Sequence, residues 1–121
     1  MQYIPVSTPS LSSSDADAVA QAVSDGWISA EGPQVREFEA RFAELVGKKH
    51  AIAVSNGTAA LDISLEALGI GPGDEVILPS FTIISCLNQI LRSGATPIFV
   101  DSLPDTWNAD PEAVRKAVTS R

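Results

Sequence analysis

Cysteine, histidine and methionine each occur once in the 121 residues. A single cysteine, Cys86, excludes an internal disulfide framework and fits a reducing compartment. A single histidine, His50, leaves no cluster with metal-ligand spacing and gives Cys86 no suitably placed partner for nucleophilic chemistry. Basic residues are also scarce: eight Lys and Arg stand against fifteen Asp and Glu, for a net charge of −7. The nearest approach to a basic patch is Lys48-Lys49, which argues against nucleic acid and against an anionic membrane surface as partners. No apolar run approaches the ~20 residues of a membrane span. The start, MQYIPVSTPS, has neither the basic nor the apolar region of a secretory leader. A cytoplasmic protein is expected.

What is present reads as globular, with 45% hydrophobic and 19% charged residues. Ala16, Val19, Ala20 and Val23 repeat at helical spacing within residues 14–25, between candidate caps at Ser12 to Ser14 and a stop at Gly26. After the loop GWISAEGP, Pro33 suits a first helical turn. Val35, Phe38, Phe42 and Leu45 then mark one helical face, Glu37 and Arg41 form an i, i+4 pair, and Gly47 ends the helix. From His50 the pattern changes. Strands are expected at Ala51–Ser55, Glu75–Ser80 and Thr96–Asp101, with helices at Thr58–Leu68 and Thr82–Ser93. A last helix is announced by Asp110-Pro111-Glu112: cap, first-turn proline, and an acid near the positive end of the dipole. The division is a helical segment, 1–48, followed by an α/β segment, 49–121. Alternating strands and helices, with continuously apolar strands, predict a three-layer α/β arrangement: a mainly parallel sheet with helices on both faces. The chain ends at Thr119-Ser120-Arg121, just as a helix finishes and a fourth strand would be due, so the start of a larger sheet is expected, with a complete small domain as the alternative.

In such sheets ligands bind beyond the carboxyl ends of the strands. Three loops leave that edge: Ser55–Thr58, Pro79–Thr82 and Asp101–Asp110. In AVSNGTAAL, Gly57 permits close approach, Thr58 adds a hydroxyl, and the N–H groups of Thr58 and Ala59 face out of the helix start, which suits a phosphate. An ordinary cap made by Ser55, Asn56 or Thr58 explains the same residues. GIGPGD, residues 69–74, follows a helix and precedes a strand. It therefore lies at the opposite edge and is not a dinucleotide fingerprint, which disfavours a Rossmann oxidoreductase. No GxxxxGK[ST] loop occurs, which excludes a P-loop NTPase. His50 reads as structural or surface, Cys86 as packing, and Asp101 as a ligand contact or a turn cap. Trp27 and Ile28 are apolar residues in a loop, open to packing, ligand or subunit contact.

Taken in order and spacing, AVSNGTAAL, GIGPGDEVILPSFT, GATPIFVD and GPQVREFEARFAELVG closely resemble the DegT-type nucleotide-sugar aminotransferases. The resemblance covers nearly the whole chain. It implies the N-terminal part of the large domain of a pyridoxal-phosphate (PLP)-dependent transferase with the aspartate-aminotransferase-like fold. Within the family, GWISAEGP, FTIISCLNQILRSGATPIFVD and DTWNADP look most like GDP-perosamine synthases, which aminate GDP-4-keto-6-deoxymannose with glutamate as donor.

The resemblance implies that Gly57 and Thr58 bind the cofactor phosphate with Ala59 nearby. It implies that Ile83 stands where relatives usually carry an aromatic ring stacked on the pyridine. It places Trp27, Ile28 and Ser29 near the sugar substrate and implies a homodimer. The Schiff-base lysine of the family has no counterpart here. Lys48, Lys49 and Lys116 all read as surface residues, so the piece holds part of a cofactor site, carries no catalytic residue and is expected to be inactive alone. Two other readings stay open: a PLP-dependent sugar dehydratase on the same scaffold, and a non-catalytic module that binds nucleotide sugar or a partner subunit.

Overall fold

Short-range capping starts the first helix. A computed structural model of the chain describes residues 3–120 and divides it between Ala53 and Val54 into two compact units. Met1, Gln2 and Arg121 lie outside the described residues. In the first unit, α1 (Ser13–Ser24) begins where the Asp15 carboxylate accepts hydrogen bonds from the Ser12 backbone N–H and the Ser12 hydroxyl, both at 2.7 Å. The first of these bonds does most to hold the Asp15 carboxyl below its ordinary range. Gly26, at φ +77°, turns the chain out of α1. Pro33 opens α2 (Pro33–Leu45), and Gly47 follows it at φ +63°. The expected Glu37–Arg41 ion pair is present on the exposed face.

Of the apolar stripe read for α2, Val35 is half-buried and the rest is exposed. Phe38, Phe42 and Leu45 are exposed, the two rings lying 5.7 Å apart. Half-buried Val35 and Glu39 and buried Ala43 form the inward side. The reason is polar: the Glu39 carboxylate accepts the Ala53 backbone N–H at 2.8 Å. That bond turns the Glu39 row toward the segment 49–53. Residues 51–55, expected as a strand, have no ladder partner among the described residues and form none.

The second unit is α/β. The strands β1 (Glu75–Pro79) and β2 (Thr96–Val100) pair in parallel, with Ile77 opposite Ile98. Between them runs α4 (Ile84–Ser93), two residues shorter than predicted because Ile83 is still extended, at φ −69°, ψ 138°. Gly94, at φ +84°, ends α4 as expected. The helix α3 (Gly57–Ala67) precedes β1 and packs on α4, and α5 (Pro111–Ala117) packs on β2. The Asp110 side chain caps α5 by accepting the Glu112 N–H at 2.9 Å. Leu78, Ile90 and Ala95 form the buried centre. Leu65, Ile70, Val76, Cys86 and Leu87 close around it. Cys86 thus serves packing, as its apolar setting predicted. No helix among the described residues is long and apolar enough to cross a membrane.

Candidate functional site

The entry to α3 is built from Asn56. Its backbone is fully extended, its carbonyl accepts the Ala60 N–H at 3.1 Å, and its side-chain oxygen accepts the Ala59 N–H at 2.9 Å. The cap reading of SNGT is therefore correct for Asn56. It also removes Ala59 from the free donors, which the sequence had counted with Thr58. The N–H groups of Gly57 and Thr58 find no acceptor among the described residues. They are the orphan donors of a helix start, where the dipole favours negative charge.

Gly57 is informative because nothing in the fold demands it. Its backbone is not in the left-handed region, and a Cβ built there meets no atom within 4 Å. Glycine at such a position costs stability relative to alanine. It leaves open space beside two unspent N–H groups, its own and that of Thr58.

Thr58 is held from α4. Its hydroxyl donates to Ser85 Oγ at 3.1 Å, and its carbonyl accepts from Gln89 Nε2 at 3.3 Å. Ser85 lies in the first turn of α4, so the starts of α3 and α4 meet at the edge of the sheet where β1 ends. Gln89 is 4% exposed and is the buried polar residue of the described chain. Sequence reasoning missed both residues. The signal available was a glutamine seated between Cys86 and Ile90 on the inward side of a helix.

Ile83 caps α4 with 68% of its surface exposed, an open aliphatic contact at the same edge. Beyond it, Phe81 and Trp107 meet edge to face at 5.0 Å, and Trp107 takes the left-handed φ of +61°. Asp101 proves to be a turn former: its side chain accepts the Ser102 N–H at 2.8 Å and its carbonyl accepts the Asp110 N–H. GIGPGD connects α3 to β1, at the end of the strand opposite to this edge, as expected. In the first unit, Trp27 is partly exposed and lines a hollow with Val35, Arg36 and Glu39. Ile28 is open to solvent, and Ser29 lies in the bend that follows. His50 is exposed. No group of three His, Cys, Asp or Glu among the described residues could hold a metal ion.

Comparison with known proteins places this geometry. The DegT/DnrJ/EryC1/StrS aminotransferase family matches residues 9–121. The chain is 46% identical over 118 residues to a GDP-perosamine synthase of Caulobacter vibrioides, covering 98% of this chain and 32% of that protein. It is 45% identical over 119 residues to the spore coat polysaccharide biosynthesis protein SpsC of Bacillus subtilis, covering 98% of this chain and 30% of that protein. The chain thus spans about a third of the length of these relatives. Among solved structures, the Spr1654 protein of Streptococcus pneumoniae in its PLP-form superposes with a TM-score of 0.82 at 34% identity, over 96% of this chain and 29% of that one. With the family match running from residue 9 to the end of the sequence, the chain belongs to the DegT/DnrJ/EryC1/StrS aminotransferase family.

Proposed function

We infer that this chain anchors the phosphate of PLP at the start of α3, within an enzyme that transfers an amino group from glutamate to a nucleotide-linked 4-keto-6-deoxy sugar of the GDP-4-keto-6-deoxymannose type. The observation that carries the reading is Gly57. Among the described residues it has no conformational or packing reason, and its own amide and that of Thr58 are free. The residues fit a phosphate monoester: two backbone donors, the adjacent Thr58 hydroxyl and the positive end of an 11-residue helix. The sugar class rests on the similarity to the GDP-perosamine synthase of Caulobacter vibrioides.

When bound, the cofactor supplies the electron sink for the carbanion chemistry of amino transfer. This chain's own part is to hold the phosphate. Gly57 and Thr58 would fix it, and exposed Ile83 would offer an aliphatic contact to the ring where stacking is otherwise usual. Ala59 would support the helix turn through its bond to Asn56 rather than donate to the anion. Trp27, Ile28 and Ser29 would contribute to the sugar pocket of a homodimer. The Schiff-base lysine is none of Lys48, Lys49 and Lys116, so the 121 residues by themselves would not transfer an amino group.

Gly57→Asp in the full-length protein tests the anchor. A carboxylate about 4 Å from the phosphate at an effective dielectric near 20 costs about 4 kcal/mol. PLP affinity should then fall on the order of 1,000-fold in an absorbance titration. An unchanged dissociation constant would sink the phosphate reading.

A further inference from the structure

Gln89 is a polar side chain in an apolar seat. Cys86 and Ile90 flank it on α4, and a cavity of about 280 Å³ lined by Leu61, Leu65, Val76 and Leu78 lies beside it. Burying an amide is costly unless it is hydrogen-bonded, and a leucine would fill the same seat without that cost. The bond Gln89 makes goes to one place, the carbonyl of Thr58. Ser85, one helical turn earlier on α4, reaches the hydroxyl of the same residue. Thr58 is therefore gripped from α4 at its carbonyl and at its side chain. Its N–H stays free, and so does that of Gly57.

We propose that Gln89 and Ser85 are positioning residues of the phosphate anchor, setting the Thr58 peptide and hydroxyl for an oxyanion. The inference rests on the phosphate reading of Gly57 and Thr58. The Gln89 bond goes to the carbonyl of the Thr58–Ala59 peptide and so steadies the first turn of α3, to which the preceding peptide, carrying the Thr58 N–H, is joined. The Ser85 bond fixes the Thr58 side-chain rotamer. Hydroxyl hydrogens turn freely. When an anion arrives, Ser85 becomes the donor to Thr58 Oγ1, and Thr58 turns its own hydrogen to the anion. No heavy atom has to move, so the anchor is pre-organised and little ordering cost remains at binding.

The test separates positioning from general support by comparing two ligands of the full-length protein: PLP, and pyridoxal, which lacks the phosphate. Gln89→Leu keeps the packing and removes the bond; Ser85→Ala removes the second grip; Ser85→Thr restores the hydroxyl. Gln89→Leu and Ser85→Ala are each expected to weaken PLP about fivefold, the usual effect of one hydrogen bond. Pyridoxal affinity should not change, and Ser85→Thr should recover PLP binding. Equal losses for PLP and pyridoxal, or unchanged PLP binding in both variants, overturn the assignment. Gly57→Asp in parallel shows which claim has failed. If it weakens PLP while the α4 variants do not, only the roles of Gln89 and Ser85 fall. If it binds PLP normally, the phosphate reading falls and this inference falls with it.

Discussion

A small-residue turn sits at each end of α3, and the two are made of similar residues for different reasons. After the helix, GIGPGD uses its glycines for conformation. Gly69 is at φ +70° and Gly73 at φ +101°, where other residues are strained. That turn also uses its own donors. The Gly71 N–H goes to the Asp74 carboxylate at 2.8 Å, and the Asp74 N–H returns to the Gly71 carbonyl at 3.1 Å. Before the helix, SNGT has a glycine in ordinary backbone with open space around it, and two donors left over. Glycine content therefore does not mark an anion site. What sets SNGT apart is a pair of unspent amides beside a glycine that the backbone does not require, at the edge of the sheet where β1 ends.

Substitutions at the two ends should part company. The largest stability effect is expected on the structural side. A side chain at Gly94 would sit 2.9 Å from Pro72 Cγ of the GIGPGD turn, at φ +84°. Gly94→Ala should cost about 1–3 kcal/mol in a denaturant titration. It should leave the preference of the full-length protein for PLP over pyridoxal intact, and an altered preference would break the contrast between the two turns. Asn56→Ala removes the α3 cap and should cost about 1 kcal/mol. Amide hydrogen exchange at Ala59 should then speed up, and unchanged protection there would deny Asn56 the capping role. The smallest stability effect belongs to Gly57→Ala, with stability unchanged or raised by up to about 1 kcal/mol. PLP binding should weaken all the same, because the new methyl would crowd a phosphate held by the Gly57 and Thr58 amides. Weaker PLP binding without lost stability would sharpen the contrast; lost stability would show that Gly57 serves the fold after all.

Much of this was legible in the residues alone. The strands expected at 75–80 and 96–101 are found, paired in parallel, at 75–79 and 96–100, and the Asp110 cap and the stop at Gly94 follow from patterns within a few residues. So does the placing of GIGPGD at the wrong edge for a phosphate, because strand and helix order decides it. The misses have one cause. A strand exists only with a partner, so the apolar run 51–55 could not be settled by its composition. The inward place of Glu39 on α2 carried no sequence signal, because its carboxylate bonds a backbone amide 14 residues away. Trp107 at φ +61° carries no sequence signal of the kind glycine gives.

By itself the sequence determined where most helices start and stop and that GIGPGD is a turn at the edge opposite SNGT. These are matters of caps, dihedral freedom and spacing, settled within one or two turns of chain. Only the tertiary structure decided which donors at the α3 start stay free and what holds them in place. Ala59 lost its N–H to Asn56, while Thr58 is gripped by Ser85 and Gln89, 27 and 31 residues further along the chain. Contacts of that reach depend on how α3 packs against α4, and helix periodicity does not specify which polar residue will be carried into the contact.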